Sequence, residues 1–262
     1  MIHTSKQLKD KVRNLSKGDN DIAKALIRTF MMERFLERVS LSKYRENLIL
    51  KGGMLVASIV GTNLRATMDI DTTVKALPLN KTEAEKIVDE IAAVPVEDGV
   101  TFQIKSITTI MDDFDYPGVR IMLEAILEKL RQSIKLDIST DDVITPAAVG
   151  YEYKLMFEDR TIRLRTYNVE TLLAEKIQTI LARGIANTRM RDFYDIYEIA
   201  GMEKIDVHTL HAAFLAKISE DDVMAQMWER FRKKNYFVGE LQWEEVSGKV
   251  IQNIQEIVVE KS

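Results

Sequence analysis

Two aspartates separated by one residue, Asp69 and Asp71, are the side chains of this chain best suited to chemistry. Residues 67–74 alternate between polar and apolar side chains as a strand does, so both carboxylates project from one face, about 7 Å apart along the backbone. Such a pair suits Mg²⁺ or Mn²⁺, because these ions take oxygen ligands and share their coordination shell with substrate phosphates. The pair predicts a divalent metal site.

A third carboxylate is available from Asp137, in a second segment of alternating character, residues 133–139. Neighbouring strands of a sheet lie less than about 5 Å apart, so Asp137 can reach the first pair if the two strands are close. Three carboxylates would form a two-metal site for in-line displacement at phosphorus. The alternative for an isolated Asp-x-Asp is a solvated strand face.

Two glycines, Gly52 and Gly53, follow Lys51 and a short apolar run that predicts a buried strand over 47–50. They precede a helix predicted over 54–60, which Gly61 ends. Because glycines lack Cβ atoms, their backbone N–H groups can approach a phosphate at the start of a helix. A Gly-Gly pair alone is also typical of an ordinary tight turn. The order strand, glycines, helix, Asp-x-Asp strand and later strand aspartate favours a phosphate-binding site.

Composition sets the broad class of the protein. With 262 residues, the chain fits one core with a helical extension or two modest domains. No apolar run is long enough to cross a bilayer, and the first residues lack the apolar core of a signal peptide. The absence of cysteine excludes disulfides and thiolate metal sites. We therefore expect a cytoplasmic protein without a membrane partner, and a net charge of −4 argues against an extended nucleic-acid-binding surface.

Periodicity predicts helices over 5–17 and 19–44, with Ile22 among the residues on the buried stripe of the second. A helix follows the cap at Asn80, and strands are predicted over 100–110 and 119–127, although the periodicity of 119–127 alone would also allow a helix. The second of these strands would form a hairpin with 133–139, and two edge strands would follow at 151–155 and 161–166. Helices are expected over 168–184, 189–201, 206–217, 220–234 and 243–260.

This order predicts an α/β (α+β) fold, with a mixed sheet flanked by helices and a helical C-terminal region. The predicted division is a core with N-terminal helices over 1–167 and a helical domain over 168–262 that contributes to the active site. At this boundary the predicted secondary structure changes to helix, and no flexible linker is predicted.

Over residues 47–200 the chain resembles the AbiEii/AbiGii toxin family, which includes the MenT-type toxins. The resemblance rests on KGG followed by DID, on IKLDI, and most specifically on residues 167–199, YNVETLLAEKIQTILARGIANTRMRDFYDIYEI. It implies a minimal polymerase β-like nucleotidyltransferase fold, and the toxin half of a type IV toxin–antitoxin or abortive-infection pair, with an antitoxin encoded nearby. In characterised relatives, nucleotides pass from an NTP to the 3′ end of tRNA, and other relatives bind GTP.

The resemblance also implies roles for single positions. Those that match the family's motifs are Asp69 and Asp71 for metal, Thr67 near the nucleotide phosphates where the family often has Ser, Lys176 as the active-site lysine, and Asp192 as the late aspartate. Two departures leave the choice of substrate open. The segment between Gly53 and Asp69 is long, with 15 residues. In the strand that carries Asp69 and Asp71, Met68 and Thr72 replace some of the acidic or aromatic residues that are usual in the family.

The same positions can be read from the residues alone. Lys176 is the only basic residue in the central part of an apolar helix, where it could reach NTP phosphates or extend to solvent as a surface lysine. Asp195 lies four residues after Arg191, and we prefer an intrahelical ion pair for it. Asp192 fits a charge at a helix start as well as it fits a site residue.

A local excess of basic residues could guide an RNA end. Residues 160–195 contain seven Lys or Arg against four acids, with Tyr167, Phe193 and Tyr194 nearby. A pair of solvated helices would give the same composition. A second basic run, over 230–234, is interpreted as helix surface, and Met54 and Met68 as core filler.

Together these observations predict Mg²⁺-assisted nucleotidyl transfer to an RNA acceptor, the tRNA 3′ end. The predicted catalytic residues are Asp69, Asp71, Lys176 and Asp192; the nucleotide-binding residues are Lys51, Gly52, Gly53, Thr67 and Lys176; and the metal ligands are Asp69, Asp71 and Asp137. The alternatives are a nucleotidyltransferase that modifies a small molecule or a protein, and a nucleotide-binding module without catalysis.

Overall fold

A computed structural model describes residues 1–61, 67–110, 118–140, 142–183 and 190–219, and short pieces at 228–229, 231–233, 240–243, 245–246 and 248–249. The helices are α1 (Ser5–Ser16), α2 (Asn20–Leu41), α3 (Gly52–Val60), α4 (Lys81–Ala92), α5 (Val169–Arg183), α6 (Met190–Met202) and α7 (Val207–Ser219). The strands are β1 (Leu48–Lys51), β2 (Asp69–Val74), β3 (Val100–Ile110), β4 (Gly118–Leu127), β5 (Leu130–Thr140), β6 (Val149–Lys154) and β7 (Thr161–Thr166). Most of the helices predicted over 220–234 and 243–260, the basic residues Arg230 and Lys234, and the helix limits predicted at Gly184 and Arg189 lie outside the described residues.

The seven strands of the described residues form one mixed sheet in the order β3-β4-β5-β2-β1-β7-β6. The pairs β2–β5 and β1–β7 are parallel, and the other neighbours are antiparallel. The predicted α/β class is thereby confirmed, and so is the predicted hairpin, which is formed by β4 and β5. The placement of β7 at an edge was wrong. It lies between β1 and β6, because its parallel partner β1 is more than 100 residues away, a pairing that alternation within β7 does not reveal.

Helices α1, α2 and α4 begin where short polar side chains cap them. Thr4 and Gln7 form a capping box at α1, Asp19 accepts the N–H groups of residues 21 and 22 at α2, and Asn80 accepts the N–H of Glu83 at α4. Ile22, expected on the buried stripe of α2, is 47% exposed, because burial of this helix becomes continuous only from Thr29.

The second half of α2 crosses the interior and carries buried charges there. Arg38 donates to both carboxylate oxygens of Asp98, at 2.8 and 2.9 Å, and to the carbonyl of Val100 at 2.7 Å. Arg160 likewise donates from two guanidinium nitrogens to the two carboxylate oxygens of Glu37, at 2.6 and 3.0 Å. These pairs satisfy charges that would otherwise be costly to bury, and they tie α2 to the start of β3 and to the β6–β7 connection.

One further acid of α2, Glu33, is fully buried and holds the β6–β7 connection directly. Its two carboxylate oxygens accept the backbone N–H of Met156 at 3.0 and 3.1 Å. Burial raises the pKa of Glu33 to about 8, although the Met156 hydrogen bond and the charge of Arg34 oppose this rise. The interior therefore favours the protonated acid at this position.

The helical segment after the sheet starts at a capped residue. The side chain of Asn168 accepts the N–H of Thr171 at 2.7 Å, and α5 then packs against α6 and α7, while α6 also packs against α3. This packing brings α5 and α6 to the end of the sheet at which β1 leads into α3. Among the helices that the structure describes, none is both long enough and apolar enough to span a membrane.

Candidate active site

Sheet register brings Asp69, Asp71 and Asp137 to one point. In the parallel β2–β5 ladder, Asp71 lies opposite Asp137 and Asp69 lies opposite Lys135. Each of the three aspartates offers one carboxylate oxygen, and these oxygens all lie within 4.8 Å of one another. We call these three residues the acidic cluster.

The glycine turn is built against this cluster. Gly52 has φ +59°, and a Cβ at this position would lie 2.2 Å from Oδ2 of Asp71. The N–H of Gly53, in the first turn of α3, donates to the same oxygen at 3.3 Å. The missing side chain of Gly52 therefore leaves room for a carboxylate of the protein, a role that the sequence analysis did not assign to this glycine.

Burial and neighbouring negative charge both disfavour ionisation of the Asp71 carboxyl group. Burial, and then the neighbouring charge of Asp69, raise the pKa of Asp71 to about 6, although Lys51 opposes this rise. Three hard oxygen donors that repel one another are stabilised by a divalent cation, so the residues of the acidic cluster fit Mg²⁺ or Mn²⁺.

Two basic side chains that the sequence analysis missed also touch the acidic cluster. Nζ of Lys135 lies 2.6 Å from Oδ2 of Asp69 and 3.5 Å from Oδ2 of Asp137. Arg120 on β4 donates to both oxygens of Asp137, at 2.8 and 2.9 Å. A signal for Lys135 was present, because it precedes Asp137 by two residues and shares its strand face. Arg120 faces Asp137 across the hairpin of β4 and β5. This pairing can be predicted only when the register of the two strands is known.

Lys51 belongs to a buried network below the glycine turn. Its Nζ lies 2.6 Å from Oδ2 of Asp142 and 3.6 Å from Oε2 of Glu175, and the hydroxyl of Tyr167 donates to the same Asp142 oxygen at 2.7 Å. Burial would lower the pKa of Lys51, but the charges of Glu175 and Asp142 outweigh it and raise the pKa. Burial likewise opposes ionisation of Asp142, yet Lys51 and Lys217 hold its pKa at about 2. The Lys51 ammonium is thus bound to protein carboxylates.

Lys176 lies at the junction of α5 and α6. Its Nζ is 3.0 Å from Oδ1 of Asp192 and 2.6 Å from Oδ2 of Asp195, and all three side chains are buried. Lys176 is therefore not a surface lysine. The contact of Asp195 with Lys176 joins two helices, and helical spacing from Arg191 does not predict it.

A cleft of about 650 Å³ connects these groups. All nine residues that the sequence analysis assigned to the site line it: Lys51, Gly52, Gly53, Thr67, Asp69, Asp71, Asp137, Lys176 and Asp192. The lining residues that it did not assign to the site are Met68, Arg120, Lys135, Glu175, Thr179, Met190 and Arg191. Met68 is half exposed on this wall, so its interpretation as core filler was wrong, whereas Met54 is fully buried.

The basic residues of 160–195 are less concentrated at the cleft than their number suggests. Within the described part of this segment, Lys176 and Arg191 line the cleft, whereas Arg160 is bound to Glu37 and Glu158. Tyr167 is buried and is not accessible for stacking, but Phe193 is 48% exposed on the helix that carries Arg191.

One comparison with known protein families agrees with this chemistry. A family model described as "Nucleotidyl transferase AbiEii toxin, Type IV TA system" matches residues 34–256. No curated protein matches the chain in sequence.

Several solved structures resemble the chain at low identity. JHP933 from Helicobacter pylori has 16% identity and a TM-score of 0.47, over 90% of this chain and 95% of that one. An antigenic nucleotidyltransferase-like protein from Paracoccidioides brasiliensis has 13% identity and a TM-score of 0.43, over 85% of this chain and 92% of that one. The antibiotic-resistance factor ANT(2'')-Ia has 11% identity and a TM-score of 0.46, over 80% of this chain and 98% of that one. At these values the likeness carries no functional information.

Proposed function

The chain belongs to the AbiEii nucleotidyl transferase toxin family of type IV toxin–antitoxin systems, and we propose that it transfers a nucleotide from an NTP to the 3′ end of tRNA. Membership establishes a nucleotidyltransferase and confirms the predicted nucleotidyltransferase fold. It also implies a nucleotide substrate and an antitoxin partner. The acceptor, the metal and the roles of single residues are parts of the proposal.

One observation carries the proposal. The acidic cluster, the first turn of α3 and the Lys176 side chain line a single cleft, although they come from sequence segments far apart. Metal-binding oxygens next to a helix N-terminus are what a nucleoside triphosphate needs, because its phosphates are held by cations and by backbone N–H groups.

Asp69, Asp71 and Asp137 would hold Mg²⁺ or Mn²⁺. When bound, the ion would polarise the α-phosphate and offset the charge on the leaving pyrophosphate. Gly52 and Gly53 would present the start of α3 to the phosphates.

Thr67, Lys51, Lys176 and Asp192 complete the proposed site. The Thr67 hydroxyl, which donates to the carbonyl of Asp69 at 3.3 Å, would turn towards a phosphate oxygen. Lys51 would act through its positive charge, since its ammonium is bound to Asp142. Lys176 would stabilise charge that develops in the transition state, and Asp192 would orient its ammonium from the cleft side.

The acceptor would supply the attacking hydroxyl. The family resemblance of residues 167–199 favours the tRNA 3′ end as acceptor. The exposed Phe193 also favours it, because its ring could stack on an unpaired base and its helix, α6, contributes residues to the cleft. A small molecule or a protein is the competing acceptor. A nucleotide-binding module without catalysis is disfavoured because all three carboxylates are in place.

The proposed domain division follows from the same geometry. Residues 168–262 would form a helical unit whose contribution to catalysis includes Glu175, Lys176 and Asp192, all of which line the cleft opposite the sheet.

Four labelled NTPs, each offered with purified tRNA, test the proposal. We expect label from one or more NTPs to enter tRNA with release of pyrophosphate, and to become acid-soluble after nuclease treatment. Asp69→Asn should abolish both label transfer and growth arrest in cells without antitoxin. The matched control is Asp89→Asn, on the exposed face of α4. Nuclease-resistant label would exclude an RNA product, and full transfer by Asp69→Asn would refute the role of the carboxylate.

A further inference from the structure

Lys135 is placed inside the acidic cluster by the sheet itself. The parallel β2–β5 ladder sets Lys135 opposite Asp69, two residue pairs away from Asp71 opposite Asp137. Side chains of directly opposed residues stand on the same face of a sheet, so one ammonium and three carboxylates project into the same cleft. No loop is needed to bring them together.

The contacts of Lys135 resemble those of a bound cation. Its Nζ approaches Oδ2 of Asp69 to 2.6 Å and Oδ2 of Asp137 to 3.5 Å, so it bridges two of the three residues of the acidic cluster. Its side chain is only 28% exposed. An ammonium in this position neutralises the same oxygens that a divalent ion would use.

Arg120 and Lys135 have different freedom. Arg120 binds Asp137 with two nitrogen atoms at 2.8 and 2.9 Å, a planar two-pronged contact that fixes its guanidinium. Lys135 carries a point charge on a flexible four-carbon stem, so its head group can leave the carboxylates while its backbone stays in β5. Of these two cations, Lys135 is the one that can be exchanged.

We propose that Lys135 is a resident cation of the acidic cluster that competes with a divalent ion for Asp69 and Asp137, and that, once displaced, it positions the phosphates of the nucleotide. The competition follows from like charge, since an ammonium and a divalent ion cannot both approach the same carboxylate oxygens without strong repulsion. The displaced ammonium remains in the cleft, where an incoming triphosphate offers new oxygen partners. The second part rests on the proposed nucleotidyl transfer, and the first part does not.

Titration of the protein with Mn²⁺ alone tests the competition, with bound ion followed by electron paramagnetic resonance. Lys135→Met should bind Mn²⁺ roughly tenfold more tightly than the unchanged protein, because a positive charge beside the ion is gone. Lys135→Arg, which keeps the charge, should stay close to the unchanged protein. The matched control is Lys105→Met, which removes a half-exposed lysine paired with Glu124 elsewhere on the sheet. Equal or weaker Mn²⁺ binding by Lys135→Met overturns the proposal.

Nucleotide kinetics test the positioning role. Lys135→Met should raise the KM for NTP about tenfold and change kcat less, whereas Lys135→Arg should recover most of the KM. A KM equal to that of Lys105→Met would overturn this role. Thermal unfolding of each variant identifies a folding defect, in which case Lys135→Gln replaces Lys135→Met. If no NTP is consumed by any form of the protein, the proposed function fails, and the Mn²⁺ comparison still decides whether Lys135 competes with metal.

Discussion

An oxygen of the Asp71 carboxylate lies where a side chain at Gly52 would begin. A Cβ at Gly52 would be 2.2 Å from Oδ2 of Asp71 and 2.8 Å from its Cβ, and the next residue, Gly53, donates its N–H to the same oxygen. The glycine turn and strand β2 are therefore one packed unit. A displacement of either would move both the start of α3 and the acidic cluster.

Gly52→Ala should damage the site for this reason. The new methyl group must displace the Asp71 carboxylate, and alanine must also adopt a φ of +59°. We expect a loss of about 1–3 kcal/mol in the free energy of unfolding and weaker binding of Mn²⁺. Guanidinium unfolding and Mn²⁺ titration measure the two effects.

Gly18→Ala is the control that separates steric clash from backbone strain. Gly18 has φ +89°, but within the described part of the chain no atom beyond its sequence neighbours lies within 4 Å of a Cβ built there. This variant should lose stability through strain and retain the Mn²⁺ affinity of the unchanged protein. If both variants bind Mn²⁺ equally well, the contact between Gly52 and Asp71 does not shape the metal site.

Binding of a divalent ion should depend on pH through Asp71. Its pKa is raised from 3.8 to about 6 in the folded protein, so folding favours the protonated form. Without a divalent ion, this group's contribution to stability is therefore present at low pH and is lost as the pH rises from 3.8 to about 6. A divalent ion binds the carboxylate, so its affinity should rise by up to about tenfold per pH unit below 6 and level off above.

Mn²⁺ titrations at several pH values check this expectation. Asp71→Asn should bind the ion weakly at every pH and lose the steep part of the curve. An affinity of the unchanged protein that does not vary between about pH 5 and about pH 7 would show that no carboxyl of raised pKa must ionise to bind the ion.

Substitutions of Asp192 and Asp195 should have similar effects on stability and different effects on activity. Both carboxylates hold the Lys176 ammonium, at 3.0 and 2.6 Å, but only Asp192 is among the residues that line the cleft. Asp192→Asn and Asp195→Asn should each lower the free energy of unfolding by about 1–3 kcal/mol, because a buried lysine loses part of its compensation. Transfer of label from NTP should fall at least tenfold further in Asp192→Asn than in Asp195→Asn.

The comparison is made on protein that is folded under the assay conditions, as checked by guanidinium unfolding. Equal losses of transfer in the two variants would mean that Asp192 acts only by holding Lys176 in place.

Glu33 should make stability decrease at alkaline pH, independently of the cleft. Its pKa is raised from 4.5 to about 8, mainly by burial, so its favourable contribution is complete below pH 4.5 and is lost as the pH rises to about 8. Glu33→Gln keeps an oxygen acceptor for the Met156 N–H and removes the ionisation. Its free energy of unfolding should therefore decline less with pH, by up to about 1.4 kcal/mol per unit.

Urea unfolding between about pH 5 and about pH 8 measures this difference. Glu85→Gln, on the exposed face of α4, is the control and should follow the unchanged protein. Parallel curves for Glu33→Gln and the unchanged protein would mean that Glu33 is already ionised in the folded state.

Local patterns in the sequence accounted for the elements that carry the acidic cluster. Alternation alone placed Asp69 and Asp71 on one strand face, and applying it equally to β5 would have added Lys135 to the cleft. The same alternation could not tell that β7 is an inner strand, because Ile162 and Leu164 would be buried on one face in either position.

Local sequence patterns could not predict the contacts between distant segments. Asp142 meets Lys51 across 91 positions and Tyr167 across 25, and no spacing rule connects them. For Asp195 the local rule even favoured an intrahelical partner, whereas the buried position of Lys176 provides one from another helix. The contacts of Asp142 and Asp195 depend on the tertiary fold and not on local spacing.

The residues that line the cleft run from Lys51 to Asp192, and the last of them belong to α5 and α6. A nascent chain whose sheet has already emerged from the ribosome therefore lacks Lys176 and Asp192 until those two helices have been translated and docked. The lining of the cleft is therefore completed only after all strands of the sheet have been translated.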